Sequence, residues 1–353
     1  MGPDLRGAFL QPIRELIGPD HRVYLPFVAT SFALAAVVWL LRRGRGSAPL
    51  LRYLVPWRLF LHRSSRFDAR WLVVRALAHA VIAWPVKVTV VGTMLFVSGH
   101  LRDVVGSPPW DSPKDRALVV AAFTLVTFVA DDFTRFLLHL AMHRVPALWE
   151  LHKVHHSAEV LTPLTLYRVH PLESVANNLR GTLTLGACAG LFAWALPGRL
   201  SGWEILGVDA LGFAWTALGS NLRHSHVWMT WGPLERLFVS PAQHQLHHGR
   251  SESTWNKNFG SALAIWDLAF GTLLLARGRR PPRVGLSRAE RNHGLDAVSA
   301  LVDPVVAAAR ALARPWARAR SARPDGERAP ASPRAPKTEG SPGADAQPLR
   351  RHG

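Results

Sequence analysis

The chemistry this sequence can offer is concentrated in histidine. WELHKVHHSAEV at 149–160 carries His152, His155 and His156, and PAQHQLHHGRS at 241–251 repeats that spacing with His244, His247 and His248. Just upstream, RFLLHLAMHRV at 135–145 adds the pair His139 and His143. In a helix, residues three and four apart share a face. Each HxxHH motif is therefore expected to project all three imidazoles from one face, so that the two motifs form opposite walls of a cage. Neutral imidazole is a good ligand for iron, zinc or copper. Eight histidines from three helices exceed what one tetrahedral ion needs and suit two adjacent metals. A lone HxxxH pair on an apolar helix would be a weak signal, but the three groups together are not.

Two further histidine positions lie between these groups. YRVHPLE places His170 before Pro171, where a helix cannot continue through. NLRHSHVW offers His224 and His226, of which one is expected to ligate. His21, His62, His79, His100, His293 and His352 stand alone and read as ordinary surface or interfacial residues. The single cysteine, Cys188, excludes disulfides, thiolate zinc sites and cysteine-held iron–sulfur clusters. No HExxH, G-x-S-x-G or P-loop occurs. A dinuclear all-histidine site at a membrane surface points to iron and dioxygen, although zinc could occupy it in a purified sample.

The elements that must hold these groups read as all-α and polytopic. The chain has 353 residues and is 48% hydrophobic, with 14 Trp and 15 Phe. Long apolar blocks alternate with arginine-dense connectors, the layout of a membrane protein with about four to six embedded helices and a helical cap on the cytoplasmic side. Five segments follow. They are an N-terminal segment at 1–22, a transmembrane region at 23–116, the histidine-bearing domain at 117–276, an amphipathic basic segment at 277–308 and a disordered Arg/Pro-rich tail at 309–353. The opening residues carry acids and lack the apolar core of a cleavable signal peptide.

Charge orients the whole. Residues 42–70 hold eight arginines and one aspartate, which places that connector in the cytoplasm. Counting spans from there brings 139–156 and 224–248 to the same side. The net charge of +18 sits in such connectors and in the tail, without a nucleic-acid module, so it reads as topology and anionic lipid contact, not nucleic-acid binding.

Over 117–275 the sequence resembles the fatty acid hydroxylase/sterol desaturase superfamily of integral membrane di-iron oxygenases. The likeness rests on the ordered series DFTRFLLHLAMH, LWELHKVHHSAEVLTPLTLYRVHPLE, LRHSHVW and VSPAQHQLHHGRSESTWNKNFGSALAIWDLAFGT. It implies metal ligation by His139, His143, His152, His155, His156, His224, His244, His247 and His248. His170 would be a ligand or the neighbour of one, and His226 the alternate to His224. Asp132, Asn258 and Asp267 could orient ligand imidazoles through their second ring nitrogens. The resemblance further implies two irons and the hydroxylation of an unactivated C–H bond of a fatty acyl or sterol-like lipid with O2. No heme-binding His-Pro-Gly-Gly is present, so electrons would come from a separate ferredoxin, cytochrome b5-like protein or reductase. Sterol desaturation or methyl oxidation, carotenoid hydroxylation and ether-lipid cleavage are the alternatives within the superfamily. A histidine-rich metal transporter is the alternative outside it, and it would place its ligands at mid-span, not at helix ends. The implied setting is a bacterial inner membrane with the metal site on the cytoplasmic side.

Overall fold

The computed structural model describes residues 24–44, 47–83, 88–108, 115–201, 204, 210–287 and 289–321. Among them there is no β-strand, only the isolated bridges Phe238–Leu263 and Gly249–Val284. Ten helices matter for the site: α1 (Leu25–Arg42), α2 (Arg63–Ala83), α3 (Val90–Val105), α4 (Arg116–Arg144), α5 (Pro146–His156), α6 (Pro171–Ala195), α7 (Ala210–Ala217), α8 (Pro241–His247), α9 (Ile265–Ala269) and α10 (Ala297–Ser321).

Helices α1 and α4 are long and apolar enough to cross a membrane, and only 17% of each apolar window is buried. The core helix of a soluble protein would be mostly covered. Here Leu40, Leu41, Leu118 and Leu125 are exposed, as lipid-facing side chains are. α1 opens on Pro26 and stops at Arg42 and Arg43. Asp115 caps α4 by accepting from the amides of Ala117 and Leu118. With 29 residues, α4 is about 43 Å long at about 1.5 Å per residue, against a hydrocarbon core of about 30 Å. The helix is therefore longer than that layer, and His139 and His143 fall in its C-terminal turns.

The apolar region at about 71–98 falls on two helices, α2 and α3, as Pro85 within it leads one to expect, with 84–87 outside the described residues. Other boundaries differ from the sequence reading. α2 begins at Arg63, inside the connector expected to be a loop, because Phe67 and Trp71 are buried on its inner face while Arg66 and Arg70 stay exposed. The apolar stretch at 203–219 is described only at 204 and from 210, where it forms α7 and a turn. The tail expected to be disordered from 309 starts within α10, which runs to Ser321; residues beyond lie outside the described ones. Residues 313–321, the end of α10, fall in a unit separate from the preceding chain.

α6 is the hub, packing on α2, α3 and α4. It meets α3 through Gly186 and Gly190. A Cβ on Gly186 would fall 2.5 Å from Thr93 Cβ, and one on Gly190 would fall 2.7 Å from Val97 Cβ. Glycines one turn apart let two helix backbones approach closely. Gly190→Val is expected to cost about 1–3 kcal/mol through overpacking, read as a lowered thermal midpoint in detergent.

Candidate metal centre

The histidines arrive from four directions. α4 delivers His139 and His143 in its last turns, and Pro146 starts α5 two residues after α4 ends, so the chain turns straight back with His152, His155 and His156. His224 ends the 3-10 turn Ser220–His224. α8 has only seven residues, yet its start is fixed by a capping box between Ser240 and Gln243.

These elements assemble two groups of ring nitrogens. His139, His143, His152, His156 and His247 form one, and His155, His224, His244 and His248 form the other; within each group all ligand atoms lie within 4.8 Å of one another. The expectation that each motif supplies one wall is corrected here. His152 and His156 enter the first group while His155 enters the second. His244 and His248 enter the second while His247 enters the first. Each motif gives its i, i+4 pair to one group and its middle member to the other, so the motifs interlock.

The second ring nitrogens decide which lone pairs are available. His139 Nδ1 donates to the Phe259 carbonyl at 2.9 Å and His247 Nδ1 to the Lys257 carbonyl at 2.7 Å. A carbonyl can only accept, so each Nδ1 carries the proton and each Nε2 is left with a lone pair. His152 Nδ1 meets Glu173 Oε1 at 2.9 Å, with the same consequence. In the first group the Nε2 atoms of His143, His152, His156 and His247 are buried without a hydrogen-bond partner. In the second group the Nε2 of His224 lies 3.3 Å from that of His155, 3.2 Å from that of His248 and 3.1 Å from that of His244. Ligands about 2.1 Å from one cation, at angles between octahedral and tetrahedral, stand about 3.0–3.4 Å apart. Both groups therefore fit a metal ion.

Burial holds these imidazoles neutral. It lowers the pKa of His155 to about 3, and it takes His156, His244, His247 and His248 well below the usual histidine value, with facing imidazoles adding to the effect. Neutral imidazole is the ligating form.

Several expected residues do other work. His170 joins neither group: its Nδ1 accepts from the Leu172 amide and its Nε2 faces the Leu301 carbonyl at 3.1 Å, so it caps α6 and ties it to α10. His226 is turned to the Tyr53 carbonyl at 2.6 Å, which leaves His224 as the member of the pair that joins a histidine group. Asp132, Asn258 and Asp267 touch no ligand imidazole. Asp132 accepts from the amides of Ala262 and Leu263 and from the Trp266 indole. Asp267 accepts from the amides of Phe259 and Gly260. Asn258, at a positive φ of 58°, bonds the backbone of Gln243 and Leu274. Together they shape the 257–263 turn whose carbonyls hold His139 and His247.

Sequence reasoning passed over Glu173, although it stands three residues after His170 in the quoted stretch. It also passed over Arg168. That guanidinium is fully buried and bonds Asp68, Ser64 and Ser157, joining α2 to the end of α5. Glu173→Ala is expected to weaken metal binding about 10–100-fold, with Glu173→Gln less affected because it keeps an acceptor; metal titration against a chelator checks this.

An apolar cavity of about 90 Å³ leads to the second group. It is lined by Val28, Phe32 and Ala35 of α1, by Leu59 and Leu161, and by His224 and Ser225.

Residues 124–272 match the fatty acid hydroxylase family profile. Alkylglycerol monooxygenase of Caenorhabditis elegans is 28% identical over 178 residues, 50% of this chain and 30% of that protein. Ornithine lipid hydroxylase OlsE of Rhizobium tropici is 30% identical over 166 residues, 46% of this chain and 44% of that protein. Alkylglycerol monooxygenase of Homo sapiens is 28% identical over 164 residues, 46% and 32%. The chain thus spans less than half the length of these curated relatives. No solved structure matches.

Proposed function

Since this chain belongs to the fatty acid hydroxylase superfamily, we propose that it is a membrane-bound oxygenase hydroxylating an unactivated C–H bond of a fatty acyl or sterol-like lipid. The observation that carries the reading is the pair of interlocked, neutral imidazole groups, each with its ligand nitrogens turned inward. Iron in both groups would supply the redox chemistry that activates O2. The side chains supply the rest. The α1 cavity guides an apolar chain from the lipid-facing side of the protein to His224. Glu173 and the carbonyls of Lys257 and Phe259 fix three imidazoles. Phe259 is buried against the rings of His139, His143 and His247 and keeps water from the first group.

The arrangement suits four to six embedded helices in a bacterial inner membrane, with the histidine groups on the cytoplasmic side, where a separate electron donor docks. Attack on the ether-linked carbon of an alkyl lipid is the second reading, favoured by the alkylglycerol monooxygenase relatives. Two measurements test the proposal. Protein purified from membranes should hold about two irons per chain. Lipids of a deletion strain should lack a species that differs from its precursor by one oxygen atom. Loss of a species differing by two hydrogens would name a desaturase, and neither change would sink the reading.

A further inference from the structure

A second cavity, of about 540 Å³, adjoins the apolar one and shares Leu59, Leu161, Ser225 and His226 with it as a common wall. Its character differs. Arg63, Arg250 and Arg283 line it together with one acid, Glu159. That acid is already held by Arg63 through two 2.7 Å bonds and by Arg291 at 2.9 Å. Arg250 and Arg283 are set side by side by the backbone. The bridge Gly249–Val284 pairs their segments, the Arg250 amide donates to the Arg283 carbonyl at 2.8 Å, and Arg250 Nη2 anchors on the Leu286 carbonyl. Among the described residues no carboxylate lies within ion-pair distance of either guanidinium. The exposed rim of the cavity is therefore positive, and the wall it shares with the apolar cavity puts the two side by side, the apolar one reaching His224.

Guanidinium pairs are suited to planar, bidentate recognition of phosphate or carboxylate. An apolar cavity adjoining a cationic one matches an amphipathic molecule with an anionic head. Resting on the oxygenase reading for what happens at the inner end, we propose that the arginine-lined cavity binds the phosphate or carboxylate head group of the lipid substrate while its chain lies along α1. Arg250 and Arg283 then choose the substrate by its head, and the distance from that head to His224 sets which carbon reaches the metals.

Equilibrium binding to the full-length, metal-bearing protein in detergent tests this, with hexadecyl phosphate, palmitate, hexadecanol and inorganic phosphate as probes. The two anionic amphiphiles should bind on the order of tenfold more tightly than hexadecanol or inorganic phosphate. Arg283→Gln should remove that advantage without changing hexadecanol binding, and Arg283→Lys should restore part of it. Equal binding of hexadecanol and hexadecyl phosphate, or an unchanged preference in Arg283→Gln, would overturn the proposal. Inorganic phosphate binding as tightly as hexadecyl phosphate would also overturn it, since the site would then be an anion site without a lipid. Binding needs neither O2 nor electrons, so a protein that selects anionic amphiphiles but oxidises nothing would count against the oxygenase reading alone.

Discussion

His155→Ala should lose metal in company with His244→Ala, and not with His152→Ala, its neighbour three residues away in the same motif. The second group has four imidazoles, so removing His155, His224, His244 or His248 leaves three. The first has five, and any single loss leaves four. A ligand counts for more than an outer partner, whose loss already weakens binding about 10–100-fold. Elemental analysis after a chelator wash should therefore show the second-group variants falling from about two ions per chain to about one. His139→Ala, His152→Ala and His247→Ala should keep both at lowered affinity. If phenotypes instead follow the sequence motifs, with His152, His155 and His156 behaving alike, the interlocked arrangement is wrong.

Acid should act on the fold and the metals at once. In an unfolded chain an imidazole titrates near 6.5, whereas burial lowers His155 to about 3 and depresses His156, His244, His247 and His248 in the same direction. The folded pKa lies below the unfolded one, so between the two values the unfolded state binds more protons. For His155 the stabilising contribution is present above pH 6.5 and is lost as pH falls toward about 3, by about 1.4 kcal/mol for each pH unit in that window, and the other four act in the same direction. Protons also compete with metal for the same lone pairs. Thermal midpoints and metal content should fall together between pH 7.5 and about pH 5. A midpoint that stays flat across that range would show these imidazoles to be solvated.

The convergence of these histidines was legible because HxxxH and HxxHH are spacings of one helix face, and because α4, α5 and α8 are helical where those motifs fall. The division of each motif was not. At about 100° per residue, positions i+3 and i+4 fall on either side of position i and diverge by about 100°. That is close enough to look like one face in a sequence and far enough apart to serve two ions. His170 and Glu173 were exchanged for a related reason: spacing marks both as near the site, and only the backbone around Pro171 shows that the histidine is spent on a cap. Asp68 read as the odd acid in an arginine-rich connector. Its partner Arg168 is 100 positions further on, beyond the reach of any local pattern. Asp132 was placed on the correct helix, but its carboxylate turns to the 262–266 backbone, a contact set by tertiary packing.

The interlocking has a consequence for how the chain is tied together. A cation in the first group joins α4, α5 and α8, and one in the second joins α5 to His224 and α8. Each spans a loop of roughly ninety to a hundred residues, the length at which a disulfide would stabilise a fold by about 4–5 kcal/mol through the entropy it removes from the unfolded chain. With Cys188 as its one thiol, this protein has no covalent means to close such loops. Cross-links through its imidazoles would be made of nitrogen, and would come undone with a proton or a chelator where a disulfide would need a reductant.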